Sequence, residues 1–380
     1  MNLLFPYLAR WRSANWSRYH QLLSALCRQG HRVYVLEAPP RPDSGETNYT
    51  DAAVSLPEGM TVREIAAPLW QVSFPLEKLA KKGLVTLATR RLVRQAIDEH
   101  KIDVLLLYNF PQLVLASVAR GRCKVVFDVA DDLLAMFAVE AGRWAPLLKP
   151  LATWFFNRLA RTSDLVTTSS QIMAPHLPGC VRILPNGADL AAASRASGDA
   201  IRARYAPPIV GFIGAFEYCV DFRLIIEAAA LLPQVTFLLV GTGRQWGAVQ
   251  QEVQRRGLDN VVLTGAVPYP RSLDYVKAMD ICLVPRVPGP ISDHAAPLKL
   301  FEYASLQKPI IATPARGMEV IAGDLVNVAR NGQEAAALIQ RILAEPAPFL
   351  EQAKEGLERI RTTYNWDRIA EQFVAMLEAL

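Results

Sequence analysis

The stretch that most constrains the fold runs from Asp280 to Thr313 and reads DICLVPRVPGPISDHAAPLKLFEYASLQKPIIAT. An apolar strand, Ile281 to Val284, leads into a loop rich in proline and glycine that ends at Pro297. A helix carrying Lys299 and Glu302 follows, and then a second apolar run from Ile310. Proline suits the first helical position because the N–H it lacks would have no partner inside the helix. A helix started there turns its unpaired amides back into the loop. That positive end, with Lys299 in the first turn, fits a diphosphate, and Glu302 can accept hydrogen bonds from sugar hydroxyls. Leu298, Phe301 and Ala304 recur at core-facing spacing, which accounts for a helix but not for a lysine and a glutamate beside its start.

At 380 residues the chain exceeds what one hydrophobic core usually supports, so two domains are expected. A hydrophobic content of 51% with 20% charged residues describes a globular protein. No apolar run reaches the roughly 18 residues of a membrane span. The opening MNLLFPYLARWRS lacks a signal peptide's apolar centre and cleavage site, which predicts a cytoplasmic protein. Five cysteines, odd in number and without a C-x-x-C pair, indicate neither a disulfide framework nor a zinc site; buried thiols are expected. Residues 1–205 hold 25 Lys+Arg against 17 Asp+Glu, a net +8, whereas residues 206–380 hold 16 against 19, a net −3. The basic half favours an anionic surface or substrate, and no nucleic-acid motif accompanies it.

In chain order, Asn2 to Phe5 reads as a strand, Trp16 to Gly30 as a helix and Arg32 to Glu37 as a second strand, the opening of a doubly wound α/β domain. No G-x-G-x-x-G is present, which argues against a dinucleotide dehydrogenase. Arg10, Arg12, Asn15 and Trp16 lie in the loop after the first strand and either line an acceptor pocket or are solvated. Val104–Leu107, Lys124–Phe127, Asp164–Thr168 and Val181–Leu184 are short apolar runs of the kind buried in parallel sheets. Asp128, Asp131 and Asp132 then fall at a strand's carboxyl end, where such sheets bind ligands. Ala191 to Pro208 reads as a boundary, and beyond it come a strand, Gly214, and a helix from about Asp221. Gly214 would let the backbone approach a phosphate closely.

Two stretches mix aromatic and basic residues. From Pro68 to Ile97, Trp70, Phe74, Leu76, Leu79, Leu84 and Leu87 alternate with Lys78, Lys81, Lys82, Arg90, Arg91 and Arg94. From Arg143 to Arg161, Trp144, Trp154, Phe155 and Phe156 alternate with Lys149 and Arg158. Either stretch is an ordinary solvated helix face or a surface for an anionic membrane.

PLKLFEYASLQKPIIAT resembles the donor-binding signature of the group 1 (family 4-like) glycosyltransferases. GHRVYVLEAP, LPNGAD and YNWDRIAEQFVAML resemble that family's second strand, the closing turn of its first domain and its last helix. The resemblance implies the GT-B form of the α/β class: two Rossmann-like, doubly wound parallel-sheet domains facing across a cleft. Residues 1–200 would bind the acceptor, 201–362 the nucleotide sugar, and 363–380 would form a helix packing back on the first domain. It assigns the pyrophosphate to the helix amides and Lys299, and the ribose to Glu302, with Leu300 between them in the same segment. Arg286 would be a second phosphate contact. Many retaining members carry an acid where this chain has His294, with Asp293 one place out of register.

The expected reaction is transfer of a sugar from a UDP- or GDP-linked donor to an acceptor hydroxyl on a glycan or glycolipid. It would need no metal and no cofactor beyond the donor. In an inverting reaction Asp131, or else Asp132, removes the acceptor proton; in a retaining one the donor phosphate does. The alternatives are a sugar-nucleotide 2-epimerase of the same fold and a non-catalytic sugar-nucleotide-binding subunit. The expected location is cytoplasmic, with a peripheral place on the cytoplasmic face of the inner membrane as its variant.

Overall fold

The computed structural model describes residues 1–11, 16–39, 56–65 and 77–380, with side chains from residue 81 onward in the last stretch. Arg12, Asn15, Trp70, Phe74 and Leu76, and the side chains of Lys78 and Leu79, lie outside the described residues. Contacts divide the chain into two compact units: Met1–Ser13, Arg18–Pro185 and Ile369–Leu380 form the first, and Ala14–Ser17 with Asn186–Arg368 the second. The division at Pro185–Asn186 precedes the Ala191–Pro208 stretch, and the last helix, Trp366–Glu378, passes from the second unit into the first at Ile369.

Among the described residues the first unit holds seven parallel strands: β1 (Asn2–Tyr7), β2 (Arg32–Glu37), β3 (Met60–Glu64), β4 (Val104–Leu107), β5 (Lys124–Val129), β6 (Leu165–Thr168) and β7 (Val181–Ile183). Their order is β3-β2-β1-β4-β5-β6-β7. The second unit holds β8 (Ile209–Ile213), β9 (Thr236–Val240), β10 (Val261–Gly265), β11 (Ile281–Val284), β12 (Ile310–Ala312) and β13 (Asn327–Val328), ordered β10-β9-β8-β11-β12-β13. In each sheet the strand order reverses once, between β1 and β4 and between β8 and β11. Ligands of open α/β sheets bind beyond the carboxyl ends of the strands at such a reversal. Strands β4, β8 and β11 are buried on both faces, because helices cover both sides of a parallel sheet.

The first unit is pinned internally by a buried ion pair. Arg18, which opens the Arg18–Arg28 helix, donates from Nε to Asp128 Oδ2 at 2.9 Å and from Nη2 to Oδ1 at 3.1 Å. Its remaining N–H groups reach the carbonyls of Leu184 and Pro185, and the Thr167 hydroxyl donates to Asp128 Oδ1. Every charge is met, which is the condition under which a buried pair is tolerated.

Cys27 and Cys282 are buried and Cys123 and Cys219 half-buried, whereas Cys180, expected inside, is exposed. Burial pushes the Cys27 thiol up to about 11 and that of Cys282 up to about 12. In the Glu77–His100 helix Lys81, expected on a basic surface, is buried, and Lys82 Nζ lies 3.9 Å from Glu140 Oε2. Val85, Val93 and Ile97 face the core. This stretch is therefore a packed helix in which Lys81 is withdrawn from the surface, while Lys82 is half-buried and Arg90, Arg91 and Arg94 are exposed.

Candidate active site

The second unit assembles its candidate site at the β8/β11 reversal. Pro297 is the N-cap of the Leu298–Ser305 helix, not its first helical residue, so the leading amides belong to Leu298 and Lys299. Those positions have no carbonyl partner within a helix. Two contacts fix the helix. The buried Asn186 side chain donates to the Ala296 carbonyl at 2.6 Å, and Ile213 N–H, at the end of β8, donates to Tyr303 Oη at 3.0 Å.

Lys299 Nζ then lies 5.0 Å from the Phe212 ring centroid. A Cβ built on Gly214 would come within 2.8 Å of that nitrogen, and Gly214 has φ of +142°. A side chain there would be strained by that φ and would displace the ammonium, so the glycine brings bare backbone against it. Burial, and then the neighbouring Arg286 guanidinium, push Lys299 down to about 8. Burial raises Glu302, with Lys299 opposing the shift. Arg286 follows β11: its amide donates to Thr313 Oγ1 at 2.6 Å, one Nη donates to the Ile291 carbonyl at 3.4 Å, and its buried Nε has no partner. Two cations share this corner, one with an unused N–H, and a single raised carboxyl group offsets them.

The other expected donor residues lie differently. Leu300 is in the core and its amide donates to the Pro297 carbonyl, so it packs the helix and presents nothing to a ligand. His294 closes the short Pro290–Asp293 helix, its amide bonded to the Pro290 carbonyl. Asp293 accepts at 3.2 Å from the N–H of Arg316, the first residue of the Arg316–Ala322 helix. Trp16 stacks on Tyr269 at 4.9 Å between ring centroids, and Arg10 lies 3.8 Å from Glu64.

In the first unit Asp132 is the N-cap of the Leu133–Ala141 helix and accepts from Ala135 N–H at 2.9 Å. Asp131 is exposed beside it and contributes to raising the buried Tyr19 phenol, an effect that burial and Asp128 dominate. Asp128 is committed to Arg18. At the β1/β4 reversal lies an aromatic group the sequence did not announce. Tyr108 Oη accepts from Leu8 N–H at 2.9 Å, and the rings of Tyr7, Tyr19, Trp11 and His20 pack edge to face or tilted against one another. Burial holds His20 down at about 4, so it is neutral, with Nε2 2.7 Å from the Trp11 carbonyl.

Residues 207–345 match the family described as "Glycosyl transferases group 1", and residues 16–187 match the "Glycosyl transferase 4-like domain". TuaH of Bacillus subtilis, named as a teichuronic acid biosynthesis glycosyltransferase, is 28% identical over 217 residues, 54% of each chain. The chain thus spans about half the length of that relative. Sucrose-phosphate synthase of Thermosynechococcus elongatus has the same fold over 100% of this chain and 98% of its own, with a TM-score of 0.79 at 18% identity. Anabaena HepE, solved in complex with UDP-glucose, matches over 100% of both chains with a TM-score of 0.72 at 18% identity. The two doubly wound sheets and both family matches lead to one assignment: the chain is a group 1, family 4-like glycosyltransferase of the GT-B fold.

Proposed function

We propose that the protein transfers a sugar from a nucleoside diphosphate sugar to an acceptor hydroxyl, with the donor held in the second unit. The observation that carries this is the pair of adjacent cations, Lys299 and Arg286, at the carboxyl end of β8 and β11, the arginine with a buried N–H left over. As the glycosidic bond breaks, charge gathers on the leaving diphosphate. The Leu298 and Lys299 amides, the ammonium and the guanidinium are preoriented to stabilise it, with no metal required. Glu302 takes ribose hydroxyls. Leu300 has only a packing part in this reading, and His294 borders the donor through its loop. The UDP-glucose complex of HepE supports UDP-sugars as the first donors to try.

On the acceptor side Asp131, exposed at the carboxyl end of β5, is the base, and Asp132 caps the helix beside it. Its role makes the reaction inverting. The acceptor is a glycan or glycolipid, and the enzyme works in the cytoplasm at an anionic membrane surface. Among the described residues no helix is long and apolar enough to cross a membrane.

Titration calorimetry with UDP and GDP tests the donor site. Lys299→Ala and Glu302→Ala are expected to keep the fold and weaken the preferred nucleotide at least about tenfold, as charge-assisted hydrogen bonds are lost. Unaltered affinity in both variants would exclude the site.

A further inference from the structure

The Ala145–Thr162 helix is apolar on two sides. Its inner face, Ala152, Phe156, Leu159 and Ala160, is buried, with Phe156 edge to face against Phe127 at 5.4 Å. That packing satisfies the helix as a core element, yet Leu147, Leu151 and Trp154 form a second stripe on its outer side. With Val139 and Trp144 just before the helix, these side chains are 41 to 71% exposed. A soluble helix surface usually scatters such residues singly; a run of them on one face marks a binding surface.

Charge says what covers it. Between Glu140 and Asp164 there is no acidic residue, while Arg143, Lys149, Arg158 and Arg161 are all present and exposed. Arg158 and Arg161 fall on the outer stripe itself by helical spacing. They run into an open groove where Arg120 joins them beside Trp154. The Arg143 guanidinium lies 5.3 Å from the Trp144 ring centroid. A second copy of this chain would meet the patch with the same patch, setting cations against cations. An anionic bilayer meets it with phosphates around the rim and apolar chains at the centre. Tryptophan is the side chain best suited to that boundary.

We propose that the outward face of the Ala145–Thr162 helix docks on an anionic lipid bilayer, with Leu147, Leu151 and Trp154 entering the headgroup boundary and Arg158 and Arg161 holding lipid phosphates. This deepens the membrane-surface reading given above, on which it rests, by naming the docking face, and it does not depend on the donor site. The helix forms a hairpin with Leu133–Ala141, the helix that Asp132 caps. The docking face is thus built on the hairpin that starts beside Asp131.

The test is sedimentation of the full chain with vesicles of phosphatidylcholine alone, or mixed with phosphatidylglycerol, without nucleotide. The wild type is expected to sediment with the mixed vesicles and much less with the neutral ones. Arg158→Gln/Arg161→Gln should weaken that binding about thirtyfold, the loss of two basic contacts, and Leu151→Glu/Trp154→Glu should abolish it. Circular dichroism and thermal unfolding check that each variant is folded, and UDP titration without vesicles tests the donor site separately. Should the glutamate pair fail to fold, the two exposed arginines carry the test. The proposal is overturned if the wild type does not sediment, if neutral vesicles bind equally well or if the arginine pair binds like wild type. A wild-type dimer in light scattering that Leu151→Glu converts to monomer would also overturn it.

Discussion

The Asn186 side chain and the Ala296 carbonyl are 2.6 Å apart, which ties the turn after the first sheet to the residue before Pro297. The position of the leading amides of the Leu298–Ser305 helix rests on this bond. Asn186→Ala leaves a buried carbonyl without that donor, at a cost of about 1–3 kcal/mol. We expect a lower thermal midpoint together with weaker UDP binding. A variant that loses stability while binding UDP like wild type would show that the bond does not position the site.

Lys299 is held down at about 8, by burial first and by Arg286 second. Above that pH the ammonium becomes a neutral amine and no longer attracts a diphosphate. UDP affinity is therefore expected to be level from about pH 7 to 8 and then to fall by up to about tenfold per unit. For stability the sign is the reverse. The folded pKa lies below the unfolded one, so between about 8 and the usual lysine range the unfolded chain binds more protons. The stability cost of this group then shrinks as pH rises. Calorimetry across pH 7 to 9 decides the first point; flat affinity would mean that Lys299 does not meet the phosphates.

The two neighbouring aspartates separate by function. Asp131→Asn is expected to lower the transfer rate by roughly 10²- to 10⁴-fold, the range for removal of a general base, with nucleotide affinity near wild type. Asp132→Asn keeps a good helix cap and most activity, whereas Asp132→Ala costs about 1 kcal/mol in stability. If Asp131→Asn turns over at wild-type rate, the base lies elsewhere and a retaining route becomes the better account.

The Arg18–Asp128 pair makes a prediction about stability alone. Asp128→Asn leaves a guanidinium buried without its counter-ion, and a loss of about 3 kcal/mol is expected in urea unfolding. In a double-mutant cycle with Arg18→Met the two should couple by at least about 1 kcal/mol. Independent, additive losses would mean that the pair is incidental to the fold.

What could be read from the sequence followed the apolar signal. Arg32–Glu37, Val104–Leu107 and Ile281–Val284 are strands at the bounds expected, because strands buried on both faces write themselves as continuous hydrophobic runs. The edge strand Met60–Glu64 was invisible, since only Met60 is buried and MTVRE has no such run. Lys299, Glu302, Arg286 and Gly214 could each be singled out because the helix, the strand end and the glycine turn all carry local marks. Arg18 and Asp128 were not, being 110 residues apart and joined only by the sheet. The position of Leu300 was hidden by its neighbours' chemistry, and the burial of Lys81 by a helix that looks basic all round when laid out as text.

The first unit includes residues 369–380, and in that stretch Ile369, Ala370 and Phe373 are fully buried, while Lys124 Nζ donates to the Leu380 carbonyl. Translation makes the chain in the opposite temporal sense from this packing. When Pro185 leaves the ribosome all seven strands of the first sheet exist, but the apolar surface that the last helix covers is open, and it stays open while the whole second unit is synthesised. Folding from the N-terminus can therefore begin in the first unit but finish only once residues 369–380 have followed the second unit out of the ribosome, and until then that surface is what a holding chaperone would meet.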